Sequence, residues 1–297
     1  MPVAPTIEIL IVSYNTRDLL QDCLRSITAH FPSKRQAIVK VAVLDNASSD
    51  ASAEMIAECF PSARLIRSAE NLGFAKANNE LARTSEADYV MLLNPDTVWR
   101  ADIAVPLMRA LERHRDAIVA GPRLVWPTGD IQPSAQRLPS LKYELALTLR
   151  SNYLYPGMVR RLVEDTVLNV EGQAGKPEQD PWSPEMLWAT CWLLRRSDIR
   201  RYGLFDERFG LYDEDLDFCF RTRRRGGTLL YVPSVELVHI GGASSNARAK
   251  SALVRRARRR FYTTHQGALA GLAYAALARL TWVRDRLAAS VAAMRKQ

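Results

Sequence analysis

Cysteine is scarce in this 297-residue chain. Its four thiols, Cys23, Cys59, Cys191 and Cys219, include no C-x-x-C pair, which argues against a zinc ribbon or a disulfide framework and fits a reducing compartment. Long hydrophobic runs are missing too. Ile7–Val12 spans six residues, and the thirteen of Ala268–Leu280 contain Arg279, so both fall short of the roughly 20 that a membrane-spanning helix needs. Met1–Thr6 holds no basic segment leading into an apolar one, so no cleavable signal peptide is expected. Glycine is absent from Ser13-Tyr14-Asn15-Thr16, the turn after the first apolar segment. That argues against a dinucleotide fingerprint and a P-loop, both of which need glycine for close phosphate approach. Shares of 47% hydrophobic and 25% charged residues exclude collagen-like, coiled-coil-only and mostly disordered chains.

Charge is present but uneven. The net charge is +9, yet from Ser245 onward twelve lysines and arginines face one acid, Asp285, so the preceding body is close to neutral. Such a basic tail points to nucleic acid or an anionic membrane surface. Arg248, Lys250, Arg255, Arg256, Arg258, Arg259 and Arg260 precede the apolar stretch, and Tyr274 and Trp282 suit an interface. The pattern predicts a peripheral amphipathic helix on an anionic inner leaflet. Packing on the body, or a homodimer contact, is the alternative.

The first half alternates strand and helix patterns. Ile7–Ser13, Val39–Leu44, Ala63–Ile66, Tyr89–Leu93 and Ala117–Gly121 read as strands. Arg17–His30, Asp50–Cys59, Phe74–Arg83 and Ala101–Arg113 read as helices between them. This predicts an α/β fold with a mostly parallel sheet flanked by helices. From Arg123 to Pro184 repeated Pro and Gly predict loops with one helix near Leu141–Arg150. A strand at Met186–Leu194, a helix from about Asp213, strands at Thr228–Val232 and Val235–His239, and a helical tail from Arg248 follow.

Parallel sheets bind ligands at the carboxyl ends of their strands, and these ends are rich in polar residues. At the first, Tyr14 offers a ring or backbone groups to a base, while Asn15 or Thr16 can cap the next helix. At the second, Asp45-Asn46-Ala47-Ser48-Ser49-Asp50 supplies helix caps, and Asp45, ahead of the cap, can accept a base imide N–H or a ribose hydroxyl. Gly73, within Asn71-Leu72-Gly73-Phe74, opens a helix whose N–H groups suit a phosphate or ribose, or simply make a loop junction. At the fourth strand, Asn94-Pro95-Asp96 offers one carboxylate for Mg2+ or Mn2+ bridged to a diphosphate, or an Asx turn. Asp213, Glu214, Asp215 and Asp217 crowd one helix start. A carboxylate among like charges gains proton affinity and can act as a general base, with Arg221 pairing one of the acids; a solvated first turn is the alternative. His239, at a further strand end, can join Asp96 on a metal. The other histidines, His30, His114 and His265, are read as structural.

This ordered set, continuing through Asn78 and the His239…Gly242…Ser244 segment, resembles glycosyltransferase family 2 over about residues 6–246. The similarity is to its bacterial rhamnosyltransferase-like branch, which builds surface polysaccharides. The resemblance implies a GT-A fold and inverting transfer from a nucleoside-diphosphate sugar, dTDP- or UDP-linked, to a glycan or polyprenyl-linked acceptor. It implies that Ser13, Tyr14, Asn15, Asp45, Asn46, Asn71, Gly73, Asn78, Asn94 and Asp96 line the donor site. Asp96 and His239 would hold the divalent cation, and Asp215 would be the base with Glu214 beside it. Trp188 and Asp213 are acceptor-side candidates. Asn94 stands where many members have an Asp, and Trp188-Ala189-Thr190-Cys191 stands where many have Gly-Ala. Trp188 or Trp192 can stack on a sugar or pack in the core.

The expected organisation is a transferase domain at 1–244, its nucleotide-sugar half at 1–122 and its acceptor and catalytic half at 123–244, then a membrane-associating tail at 245–297. A cytoplasmic enzyme, peripheral on the inner face of the membrane, is expected, with no nucleic-acid partner. A sugar nucleotidyltransferase and a nucleic-acid binder acting through the tail are the alternatives.

Overall fold

A computed structural model of the chain describes residues 4–32, 36–148, 180–241 and 247–294. Half of the expected Pro/Gly-rich loop region (149–179), Gly242, Ser244 and the boundary at 244 lie outside the described residues.

The alternation in the sequence becomes β1 (Thr6–Ser13), α1 (Arg17–Ala29), β2 (Ile38–Asp45), α2 (Ser52–Cys59), β3 (Arg64–Arg67), α3 (Phe74–Thr84), β4 (Tyr89–Leu93), β5 (Thr97–Val98), α4 (Ala104–Arg113) and β6 (Ala117–Val125). There follow β7 (Ala135–Gln136), α5 (Leu141–Thr148), β8 (Met186–Leu187), β9 (Cys191–Arg195), α6 (Arg196–Tyr202), α7 (Glu214–Arg224), β10 (Thr228–His239), α8 (Ala247–Gln266) and α9 (Ala268–Met294). Eight strands form one sheet in the order β3-β2-β1-β4-β9-β6-β10-β5, and β7 pairs with β8 in a small second sheet. Helices cover both faces. Alternate residues of β1 divide between them: Ile9 and Ile11 pack with Leu20, Leu24 and Leu111, while Leu10 packs with Trp192, Phe218 and Phe261.

The sheet is mostly parallel, as expected, with β9 antiparallel between β4 and β6 and β5 antiparallel to β10. Three features depart from the sequence reading. The expected strand Met186–Leu194 splits at residues 188–190, so that β8 and β9 serve different sheets. The two strands expected at 228–239 are one, with a register shift between Val232 and Glu236 where Pro233 has no N–H to give the ladder. Helix α4 starts at Ala104, because the Asp102 carboxylate accepts the N–H groups of Ala104 and Val105 at 2.9 and 3.3 Å.

The tail also differs from a free amphipathic segment. It is two helices, broken at Gly267 with φ +93°, and it packs on the body. Ala257, Phe261, Tyr262 and Tyr274 are buried in the same core as Trp192 and Phe218. Helix α9 is stapled to α5 by a Thr148–Thr281 hydroxyl bond of 2.9 Å.

Candidate active site

In the sheet, β1, β2, β4, β6 and β10 are parallel, so their carboxyl ends share one edge. Ser13 is in register with Asp45. Asn94 follows β4, and its N–H donates to Thr190 O at 2.9 Å, just ahead of β9. Two peptide units away, Ala189 N–H approaches Asp215 Oδ2 at 3.4 Å. Asp215 is therefore tied to the edge that carries Asn94 and Asp96. The β5–β10 pairing aligns Thr97 with His239, and Ile240 N–H donates to Asp96 O at 2.9 Å.

The loops at the first two strand ends brace each other. Asn15 adopts left-handed φ 52° and accepts from Ser49 N–H at 2.8 Å, while its own N–H donates to Ser48 Oγ at 3.0 Å. The Asp50 carboxylate accepts from Arg17 N–H and Ser52 N–H at 2.8 and 3.1 Å, so one acid serves the starts of both α1 and α2. Thr16 precedes α1 without a capping side-chain bond. Asn46 Nδ2 donates to Asn71 Oδ1 at 3.0 Å. At the mouth of α3 the N–H groups of Leu72, Gly73 and Ala75 already donate to Asn46, Asn71 and Gly210 O. Asn78 is buried and donates to Phe74 O at 3.0 Å. Gly73 is favoured at its place by its φ of +77°, a conformation that side-chain-bearing residues rarely adopt.

Two groups expected at the donor site remain uncommitted. Asp45 is only 5% exposed. Its Oδ2 accepts from Ser48 N–H at 3.2 Å, while Oδ1 is buried without a partner. Such a group costs stability unless a ligand satisfies it. Tyr14 is 47% exposed and leaves its ring available.

Asp96 Oδ2 stands 3.5 Å from His239 Nε2. Gln132, which the sequence reading passed over, orders this pair. Its Nε2 donates to His239 O at 2.7 Å, so its Oε1 is the partner that His239 Nδ1 meets at 2.7 Å. With its Nδ1–H donated to Gln132, the ring is oriented so that Nε2 is the nitrogen turned toward Asp96. One nitrogen and one carboxylate then face the same point, a donor set that suits Mn2+ or Mg2+. Among the described residues no cluster of three or more His, Cys, Asp or Glu exists to enclose an ion.

The crowded acids at the start of α7 are each accounted for differently. Asp217 accepts from Arg221 Nε at 2.6 Å and meets His265 Nε2 at 2.7 Å. Asp213 takes the left-handed φ 61° just after Tyr212 at 72°, and both its oxygens are held by Arg258 of α8, at 2.8 and 3.1 Å. Arg258 also binds Glu144 of α5 at 3.0 Å. Asp213 is thus spent within the fold, and a residue of the basic tail reaches the start of the acidic helix. Burial, then the charge of Asp213, push Asp215 up to about 6. Glu214 is buried with Oε2 unpartnered, and burial followed by the Asp215 charge raises it well above the usual carboxylate range. Trp192 is fully buried against Phe205 and Phe218, at 5.7 and 5.0 Å between ring centroids, so it packs the core and cannot stack on a sugar. Trp188 is partly buried, with its N–H donating to Ser134 O at 2.9 Å.

Comparison with known proteins agrees with this geometry. A family model described as Glycosyl transferase family 2 matches residues 8–203. N-acetylglucosaminyl-diphospho-decaprenol L-rhamnosyltransferase of Mycobacterium tuberculosis is 31% identical over 215 residues, which cover 68% of this chain and 66% of that protein. The chain therefore matches just under two thirds of that relative's length. Rhamnosyltransferase WbbL of Escherichia coli K12 is 25% identical over 244 residues, covering 78% and 82%. Among solved structures, GalNAc-T7 with UDP, GalNAc and Mn2+ superposes with a TM-score of 0.62 at 16% identity, covering 95% of this chain and 55% of that one. The mannosyltransferase PcManGT of Pyrobaculum calidifontis, in complex with GDP-Man and Mn2+, superposes at 0.57 with 18% identity, covering 100% and 82%. These likenesses identify the fold as GT-A. The chain belongs to glycosyl transferase family 2, in its rhamnosyltransferase-like branch.

Proposed function

We propose that the protein is an inverting glycosyltransferase. It moves a deoxysugar such as rhamnose from a dTDP- or UDP-linked donor to a hydroxyl of a polyprenyl-diphosphate-linked glycan, in bacterial surface polysaccharide synthesis. The acceptor class follows the mycobacterial relative, whose name describes a diphospho-decaprenol substrate. The observation that carries the reading is the tie between Asp215 and the strand-end edge holding Asp96 and His239.

Asp45 Oδ1 accepts a pyrimidine imide N–H or a ribose hydroxyl, and Tyr14 covers the base. Asp96 and His239 would hold Mg2+ or Mn2+, and a cation bound there would offset negative charge building on the leaving diphosphate. Asp215 takes the proton of the acceptor hydroxyl as that oxygen bonds to the anomeric carbon and the carbon–diphosphate bond breaks. An affinity near 6 suits this work at neutral pH, because the carboxylate is ionised yet still basic. Burial and the neighbouring charge of Asp213 keep the Asp215 proton affinity high, with Glu214 buried beside it. Holding donor and acceptor in line supplies much of the acceleration.

Residues 1–244 form the transferase domain, with a donor half at 1–122 and an acceptor half at 123–244, and 245–297 carries it to the inner membrane face. Support comes from an exposed apolar stripe on α9: Leu269, Leu272, Ala276, Leu280 and Val283 fall on one helical face, Leu269 being 82% exposed. No helix among the described residues is long and apolar enough to cross a membrane. The test is a thermal-shift screen of nucleotide sugars with and without Mn2+. A dTDP- or UDP-deoxysugar should raise the melting point, more so with the cation. Stabilisation by no nucleotide sugar would reject the reading.

A further inference from the structure

Arg258 spends its charge inside the fold, but its neighbours on α8 do not. Arg255, Arg256 and Arg259 line a cavity of about 370 Å3 between α8 and α9, closed on the other side by Tyr274, Arg279, Trp282 and two alanines. Among the described residues Arg256, Arg259 and Arg279 have no ion-pair partner, and no acid lines the cavity. Four guanidinium groups gathered without a counter-charge are a site prepared for a compact polyanion.

The surroundings select the kind of anion. Arg279 sits at the border of the cavity and the apolar stripe, three residues after Ala276 and four before Val283. A phosphate held by the arginines therefore lies beside a solvent-facing row of leucines, which suits an amphiphile better than a nucleic acid. The inner wall lies near the start of the acidic helix. Tyr274 is near enough to Glu144 and Asp213 for their charges to act on its phenol, and Arg259 directly follows the Arg258 that grips Asp213.

We infer that this groove binds the diphosphate of a polyprenyl diphosphate, seating the lipid end of the acceptor while its first carbons run onto the α9 stripe. The inference deepens the proposed function and rests on its acceptor class.

Farnesyl diphosphate, a soluble short-chain probe, is titrated calorimetrically into the full chain in EDTA without nucleotide sugar. Inorganic diphosphate, farnesol and phosphatidylglycerol vesicles are the comparators. Farnesyl diphosphate should bind at least tenfold more tightly than inorganic diphosphate or farnesol. The triple variant Arg256→Gln/Arg259→Gln/Arg279→Gln, altering side chains that make no hydrogen bond or ion pair among the described residues, should keep its melting point and bind the probe at least tenfold more weakly. Equal binding by the triple variant overturns the inference. So does inorganic diphosphate binding as well as the probe, or arginine-dependent vesicle binding with no binding of the probe. A chain that binds the probe but transfers no sugar keeps the groove and rejects the enzyme reading; one that transfers sugar but ignores the probe loses only the groove.

Discussion

Arg258 holds Asp213 through two guanidinium nitrogens, Nε at 2.8 Å and Nη2 at 3.1 Å, across 45 residues of chain. The bond joins the tail to the residue just before the acidic helix, and it pins that residue in a left-handed conformation that non-glycine residues seldom adopt. The tail is therefore part of the acidic site's construction.

Removing that cation should be costly. Arg258→Ala leaves Asp213 and Glu144 buried and uncompensated, and a loss of about 3 kcal/mol is expected in denaturant unfolding. Arg258→Lys should recover only part of it, since an ammonium cannot reproduce the two-armed grip. Unchanged stability in the alanine variant would show the pair to be idle.

The pH profile of transfer should report the base. With Asp215 raised to about 6 by burial and by Asp213, kcat/KM should fall about tenfold per pH unit below pH 6, where the carboxylate is protonated. A flat profile down to pH 5 would exclude Asp215 as the base.

Glu214 should make folding pH-dependent in the opposite sense to a paired carboxylate. Its proton affinity is higher folded than unfolded, so its contribution is complete below the ordinary glutamate range and is lost as pH rises towards the folded value. Melting curves from pH 5 to pH 8 should show Glu214→Gln gaining on the native protein as pH rises. A gap independent of pH would contradict the burial of an acid.

Gln132 should be felt at the cation. Gln132→Leu removes the acceptor that fixes the His239 tautomer, and Mn2+ affinity, read from the spectrum of the free ion, should weaken about 10- to 100-fold. His239→Ala and Gln132→Leu together should cost little more than His239→Ala alone, because both act through one imidazole.

Much of this was legible in the chain. Strand and helix periodicity located β1, β2, β4, α1 and α3 closely, and the polar residues after each strand marked one edge because parallel strands end together. Antiparallel β9 was not legible: its apolar run has the same pattern in either direction. The role of Gln132 was hidden because a lone glutamine in a proline-rich stretch has no periodic signal. Arg258 was hidden among seven basic residues, and only its folded contacts with Asp213 and Glu144 show that it faces inward. Trp192 is ambiguous in sequence for a similar reason, since an aromatic residue beside a site and one beneath it look alike.

The most direct test of the account compares donor binding with transfer in Asp215→Asn. The variant should bind the nucleotide sugar within about threefold of the native affinity, yet transfer at least 100-fold more slowly. Near-native turnover by that variant would contradict the account.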